Sequence, residues 1–479
     1  MLSIAIGRIA QFALLLLTLR AATEFLLPIE IGKVSIVVST VAFFALLLIN
    51  PVGMFINRRM NAWKQKGLLV EYYGLFWRYL LIVNFCAAMV LVTLHLFDIW
   101  KSSFEMLWFL LLVCGNLIFA TINQTVIPAL NMFGYKGWFA LLTVATVAVS
   151  LISAIIFVHT LLPSAEYWLC GLLFGQIAIG MLGKKILYKK LHHLKGSRGK
   201  TVIVNQHNIY ALLNYAWPVS LAVGFGWIHS QGYRYLMENQ LGLAELGLYV
   251  AGFGISAGLM MGVESILSTF LQPKFYKSLE DSKVDSIPRA WIEYAQIIIP
   301  SLLLFTIFLT LTASELTRIF LGVGFKQSSQ FIVFGAAAEM GRHVTAIYSL
   351  AAHAHMNTKV LILPNFVGAV ATIALLYLLM PHYGSLGVGV SMILASIAAM
   401  TVSAILTNQY FKIILPLKFI VKSAVMGLGL WVLYSVIKQI FNNEQSIIEA
   451  LIVLGLIGLC YTVFQYFLLR PSFKDVVQN

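Results

Sequence analysis

The sequence predicts an all-α integral membrane protein of about fourteen transmembrane helices, on three observations. Of its 479 residues 60% are hydrophobic and only 10% charged, where soluble domains carry roughly 25% charged residues. The mean hydropathy is +0.89. Apolar runs of the roughly 20 residues that a helix needs to cross the hydrocarbon core recur from one end to the other. Helices are required there, because open backbone in lipid leaves its N–H and C=O groups unpaired.

In chain order the predicted spans lie at about 3–27, 34–57, 72–96, 106–130, 139–163, 168–188 and 211–236, then 245–271, 291–313, 330–355, 360–381, 385–411, 417–438 and 446–468. The first run lacks a basic segment before it and is longer than a signal-peptide core, so it is read as a permanent span. With the N-terminus inside, 22 of the 32 Lys and Arg fall in the even-numbered loops and the tail, 5 on the opposite side and 5 within spans. That asymmetry places both termini in the cytoplasm. It also explains the net charge of +14 by topology, so no nucleic-acid partner is expected.

The longest hydrophilic stretch divides the chain. Residues 1–190 form a first lobe (spans 1–6), 191–210 a cytoplasmic linker, 211–412 a second lobe (spans 7–12), and 413–479 spans 13–14 with a cytoplasmic tail. Gly199-Lys200-Thr201 in the linker lacks the upstream glycine and strand of a phosphate-binding loop, so no nucleotide site is assigned. Cys86, Cys114, Cys170 and Cys460 lie in apolar runs without metal spacing, and no metal or cofactor is expected.

Each lobe opens with a copy of one pattern. Arg20-x-x-x-Glu24 precedes Glu30-Ile31-Gly32, and Arg234-x-x-x-Glu238 precedes Glu245-Leu246-Gly247. Both copies follow an odd-numbered span, so the lobes share one orientation, as in parallel repeats.

A charged side chain at mid-membrane costs about 2.5–3.5 kcal/mol on insertion scales and must face protein or water. The charges within spans are therefore the candidate functional residues: Arg8, Arg20, Glu24, Arg78, Arg234, Glu238, Glu264, Glu339 and Arg342. Arg20 with Glu24, Arg234 with Glu238, and Glu339 with Arg342 stand one helical turn apart and can pair locally. His229, His343, His353 and His355 are candidate proton carriers or hydrogen-bonded structural groups. Gly254, Gly258 and Gly262 at four-residue spacing predict a close helix approach. Pro51 and Pro218 predict bends. Short external loops and the lack of a catalytic constellation disfavour an integral membrane enzyme, the remaining alternative class.

The Glu30-Ile31-Gly32 helix entry, the basic segment Asn57-Arg58-Arg59-Met60-Asn61-Ala62-Trp63, Trp217-Pro218, the stretch from Arg234 to Gly247-Leu248-Tyr249, Ile319-Phe320-Leu321-Gly322 and Gly384-x-x-Gly387 together resemble the multidrug/oligosaccharidyl-lipid/polysaccharide exporter superfamily. Within it they look most like polysaccharide flippases of the Wzx type, although Tyr233 stands where an acidic residue is common. The resemblance implies two pseudo-symmetric six-helix lobes in a V plus two C-terminal helices. It implies a flippase, not an enzyme, moving an undecaprenyl-diphosphate-linked oligosaccharide repeat unit (O-antigen or other surface polysaccharide) to the outer leaflet by alternating access. Its partners would be that glycolipid, membrane lipids and polysaccharide polymerase machinery. Arg8, Arg20, Arg234 and Arg342 would bind diphosphate or sugar, and Glu24, Glu238, Glu264 and Glu339 would serve coupling or gating. A cation-coupled multidrug exporter of the same fold is the alternative.

Overall fold

The computed structural model describes residues 2–477 except 66–67, 99–103, 193–205, 281–285, 355–357, 411–414 and 442–445. Most of the predicted linker, with Gly199-Lys200-Thr201, lies outside the described residues, as do His355 and the side chain of His353. Among the described residues every regular element is helical. The chain separates into two compact units, Met1–Trp227 and Ile228–Asn479.

The first unit holds α1 (Leu2–Phe25), α2 (Pro28–Phe44), α3 (Asn50–Gln65), α4 (Leu69–Leu96), α5 (Met106–Met132), α6 (Lys136–Thr160), α7 (Ala165–His192) and most of α8 (Gln206–Gln231). The second span begins earlier than its hydropathy suggests. Pro28 sits at the first helical position, where its missing N–H costs nothing and its fixed φ favours the helix. A π-helical turn, Ala45–Ile49, then joins α2 to α3. In a regular α-turn the Pro51 ring would strike the carbonyl of Leu47, and the wider turn relieves that clash.

The basic segment after this span is helix, not loop. Arg59 lies over the Phe55 ring at 4.4 Å, while Met60 and Trp63 turn inward to the core of α4, α5 and α6. Trp63 stacks on Tyr72 with centroids 3.7 Å apart. The segment reads as polar because its exposed face is charged, yet its other face packs.

The second unit continues with α9 (Tyr233–Gln240), α10 (Leu243–Glu280), α11 (Ser286–Leu311), α12 (Ala313–Phe320), α13 (Ser329–Ala354), α14 (Ile362–Tyr410), α15 (Leu417–Ile440) and α16 (Ile447–Val477). α14 covers two predicted spans and turns at Gly384, whose φ of 55° lies in the left-handed region open to glycine.

Ten helices, over the described residues, are long and apolar enough to cross a bilayer, with both passes of α14 counted as one. α1, α8 and α13 fill the other predicted positions, so the predicted fourteen passes are all present as helix. Their outer faces are apolar, as a lipid solvent requires: Leu81, Ile82 and Phe85 on α4, and Val421, Val425 and Leu428 on α15, are exposed. The protein is a multi-pass membrane protein.

Within the second unit, the glycine row of span 8 makes no close approach at Gly254 or Gly258. A Cβ at Gly254 or Gly258 meets no described atom within 4 Å. The tight positions are Gly252, where a Cβ would overlap the Ser328 carbonyl, and Gly335, where it would overlap the Ser256 hydroxyl. Helix rotation decides the matter: the packed face of α10 runs through Leu246, Tyr249, Phe253 and Ser256, and Gly254 lies off it.

α15 and α16 are fastened to α11 by polar bonds as well as by Leu304, Leu430 and Leu468. Ser423 donates to the Pro300 carbonyl at 2.6 Å, and Gln465 donates to the Ser301 hydroxyl at 2.6 Å.

Candidate functional site

The second unit carries a half-buried ion pair on α13. Arg342 pairs with Glu339 one turn earlier, and its guanidinium lies 5.3 Å from the Phe253 ring on α10. Phe253 begins an aromatic chain. It stacks on Tyr249 at 5.5 Å, and Tyr249 meets Tyr233 edge-on at 5.2 Å. Arg234 lies 5.7 Å from that last ring. Tyr249 feels the charges of Arg342, Arg234 and Glu339 together. Stacking cations on ring faces compensates part of their lost hydration.

Nearby, His229 is 2.8 Å from the Thr372 hydroxyl and feels the charge of Arg342. Four buried polar atoms here have no hydrogen-bond partner among the described residues: Arg342 Nε, His343 Nε2, His229 Nε2 and the Tyr249 hydroxyl. An unpaired buried group costs about 1–3 kcal/mol. Such a cluster can accept a polar or ionic ligand without first breaking internal bonds.

The first unit arranges its charges differently. Arg20 and Glu24 form a 2.8 Å ion pair with side chains 27% and 50% exposed. Arg8, three turns earlier on α1, donates to Gln11 Oε1 at 3.1 Å and lies 5.5 Å from the Phe139 ring. Arg78 is exposed on α4.

Among the predicted residues, then, Glu339, Arg342 and Arg234 share one neighbourhood, and Arg20 with Glu24 share another. Glu238 follows Arg234 by one turn on α9. Glu264 stands apart, three turns beyond Phe253 on α10, where its charge acts on Tyr294.

Sequence reading missed the most buried carboxylate among the described residues of the second unit. Glu315 on α12 is 1% exposed and binds Lys438 at 2.9 Å and Arg318 at 3.4 Å, with the Tyr434 hydroxyl at 3.3 Å. Arg318 and Lys438 are two of the five basic residues that the sequence assigns to the side opposite the termini. The Glu315-x-x-Arg318 spacing was a visible signal; the approach of Lys438, over 100 residues on, was not. Glu30 was also missed as a structural group: it binds Lys33 at 3.0 Å and accepts the first N–H of α7, from Ala165, at 2.8 Å.

No protein-family model matches the chain, and no curated protein matches it. Solved structures do. The lipid II flippase MurJ in an inward closed conformation matches with a TM-score of 0.65 at 14% identity, over 99% of this chain and 100% of that one. An inward-facing multidrug resistance MATE family transporter of the MOP superfamily matches with a TM-score of 0.57 at 13% identity, over 84% and 93%. The Vibrio cholerae MATE transporter VcmN matches with a TM-score of 0.52 at 15% identity, over 85% and 93%. At these identities the likeness is one of fold: the chain has the fold of a flippase and of multidrug transporters.

Proposed function

We propose that this chain is a flippase moving an undecaprenyl-diphosphate-linked oligosaccharide repeat unit, of O-antigen or another surface polysaccharide, from the inner to the outer leaflet of the bacterial cytoplasmic membrane. The observation that carries this reading is the reach of the structural likeness. The lipid II flippase fold extends over 99% of the chain, whereas the MATE transporters extend over 84–85%.

The physical obstacle is the head group. Each buried hydroxyl without a partner costs about 1–3 kcal/mol, and an oligosaccharide carries many. A polar interior that opens alternately to the two sides removes this barrier while the lipid tail stays in the bilayer. Arg8, Arg20, Arg234 and Arg342 would take the diphosphate, because a guanidinium matches two phosphate oxygens with parallel hydrogen bonds. Glu24, Glu238, Glu264 and Glu339 would compete for those arginines and drive release, or take up a coupling cation.

The pairing of Arg342 with Glu339 supports such an exchange. Each net charge crossing the membrane is worth about 2.3 kcal/mol per 100 mV, with a sign that favours outward movement of an anion when the inside is negative. With both termini cytoplasmic, the basic loops face the leaflet where the cargo is made. Polymerase machinery on the opposite side would consume the product.

The test is export in a strain lacking its own repeat-unit flippase, together with movement of a fluorescent diphosphate-linked glycolipid in proteoliposomes. Wild-type protein should support both, and Arg234→Ala should abolish both at normal protein levels. Full activity of that variant would remove Arg234 from the mechanism, and inactive wild-type protein would sink the function.

The second reading is a cation-coupled multidrug exporter, favoured by the likeness to MATE transporters at TM-scores of 0.52–0.57. It predicts drug resistance on expression without any glycolipid dependence.

A further inference from the structure

The first unit holds a cavity of about 430 Å³ bounded by α1, α5, α6 and α7, within the roughly 300–1,000 Å³ range of small-molecule sites. Its wall is polar for helices that cross a membrane. Four amide side chains line it: Gln11, Asn123, Gln124 and Gln176.

The hydroxyl protons along the wall are already committed. Thr143 donates to the Phe139 carbonyl at 2.7 Å and Thr146 to the Leu142 carbonyl at 2.7 Å. Two of the amide oxygens are not. Asn123 is 8% exposed, and its Nδ2 donates to the carbonyls of Phe119 and Gln176 at 3.1 and 2.8 Å. Its Oδ1, and the Oε1 of Gln176, are buried with no hydrogen-bond partner among the described residues. The cavity therefore offers acceptors that lack donors.

Arg8 also lines the cavity. Its neighbours are the Gln11 amide and the Phe139 ring, and none of the described residues that line the wall is a carboxylate. A cation entering here would meet a positive charge with nothing to offset it, which argues against a metal ion or a cationic drug. An anionic oxygen would find a fork of N–H donors. A ligand with several hydroxyl donors and one anionic oxygen satisfies both features at once.

We infer that this cavity is a subsite for a glycosyl phosphate: a sugar ring whose hydroxyls donate to Asn123 and Gln176, with a phosphate oxygen on Arg8. This rests on the flippase reading and narrows it, by assigning the sugar–phosphate junction of the cargo to the interior of the first unit.

The test uses the full chain in nanodiscs and saturation-transfer NMR with three probes: glucose 1-phosphate, glucose and inorganic phosphate. Glucose 1-phosphate should bind about tenfold more tightly than either part, a difference of about 1.4 kcal/mol. Gln124→Leu, on an exposed cavity wall, and Arg8→Gln should each weaken it by about tenfold, with unchanged melting temperature, and Arg8→Lys should restore part of the loss.

Equal binding of inorganic phosphate would overturn the sugar half of the inference. Unaltered binding in both variants, or displacement of the probe by sodium, would overturn the site. Glycolipid movement by the wild type is measured on the same preparations. Movement without cavity binding removes the subsite and leaves the flippase, whereas binding without movement keeps the subsite and removes the flippase.

Discussion

The Arg-x-x-x-Glu element occurs at the first hairpin of each unit, and the two copies share a frame but not an environment. In both, the motif is followed by a helix whose third residue is glutamate, Glu30 in α2 and Glu245 in α10. There the carboxylate lies within the positive end of the helix dipole. In both, the next two residues are buried: Ile31-Gly32 and Leu246-Gly247. The residue three after the arginine is also buried in each, Thr23 at 3% and Met237 at 0% exposure.

The surroundings then diverge. Arg20 meets its glutamate on an exposed face, while Arg234 rests on an aromatic chain that leads through Tyr233, Tyr249 and Phe253 to Arg342. The repeated residues thus set helix entry and packing. What differs between the copies is what the neighbouring helix, α13, brings to one of them.

Four experiments would break or sharpen this contrast. The largest effect is expected at Arg342, where alanine leaves the half-buried Glu339 without its partner and should cost up to about 3–5 kcal/mol, read as a fall in melting temperature and loss of export. Glu339→Gln with Arg342→Met should restore the stability but not the export. Recovery of both would make the pair structural only.

Next, Met237→Ala should cost about 2–5 kcal/mol as a core truncation. Its counterpart Thr23→Ala should cost about 0.5–1.5 kcal/mol, from the hydroxyl bonded to the carbonyls of Leu19 and Arg20. Equal costs would show that the two slots are not equivalent.

On α10, Gly252→Ala should destabilise by about 1–3 kcal/mol through overlap with the Ser328 carbonyl. Gly258→Ala, in open space, should stabilise by up to about 1 kcal/mol through helix propensity. The smallest stability effect belongs to Arg20→Ala, within about 1 kcal/mol for an exposed pair. A larger loss there than for Arg234→Ala would reverse the ranking of the copies.

Much of the fold was legible because each pass announces itself by its own hydropathy, and the two halves of α14 were separable at Gly384 from sequence. The Glu339–Arg342 pair was legible for a similar reason, since both partners lie on one turn. Less legible were features that depend on where a second helix lies. Nothing local shows that Tyr249 and Phe253 link two arginines, that Lys438 reaches Glu315, or that Asn123 and Gln176 face one cavity. The face of α10 was misread because glycine spacing marks a stripe without saying which way it turns.

The π-turn at Ala45–Ile49 has a consequence for helical phase. Each residue of an α-helix advances the side-chain direction by about 100°, so one surplus residue sets the two halves of this pass out of step. A face read straight through the pass would put Trp63 a quarter-turn from Tyr72. Excising one of Leu46–Leu48 together with Pro51→Ala should swing α3 back into continuous phase with α2 and unstack that pair, converting a local backbone accommodation into misalignment of the whole basic segment.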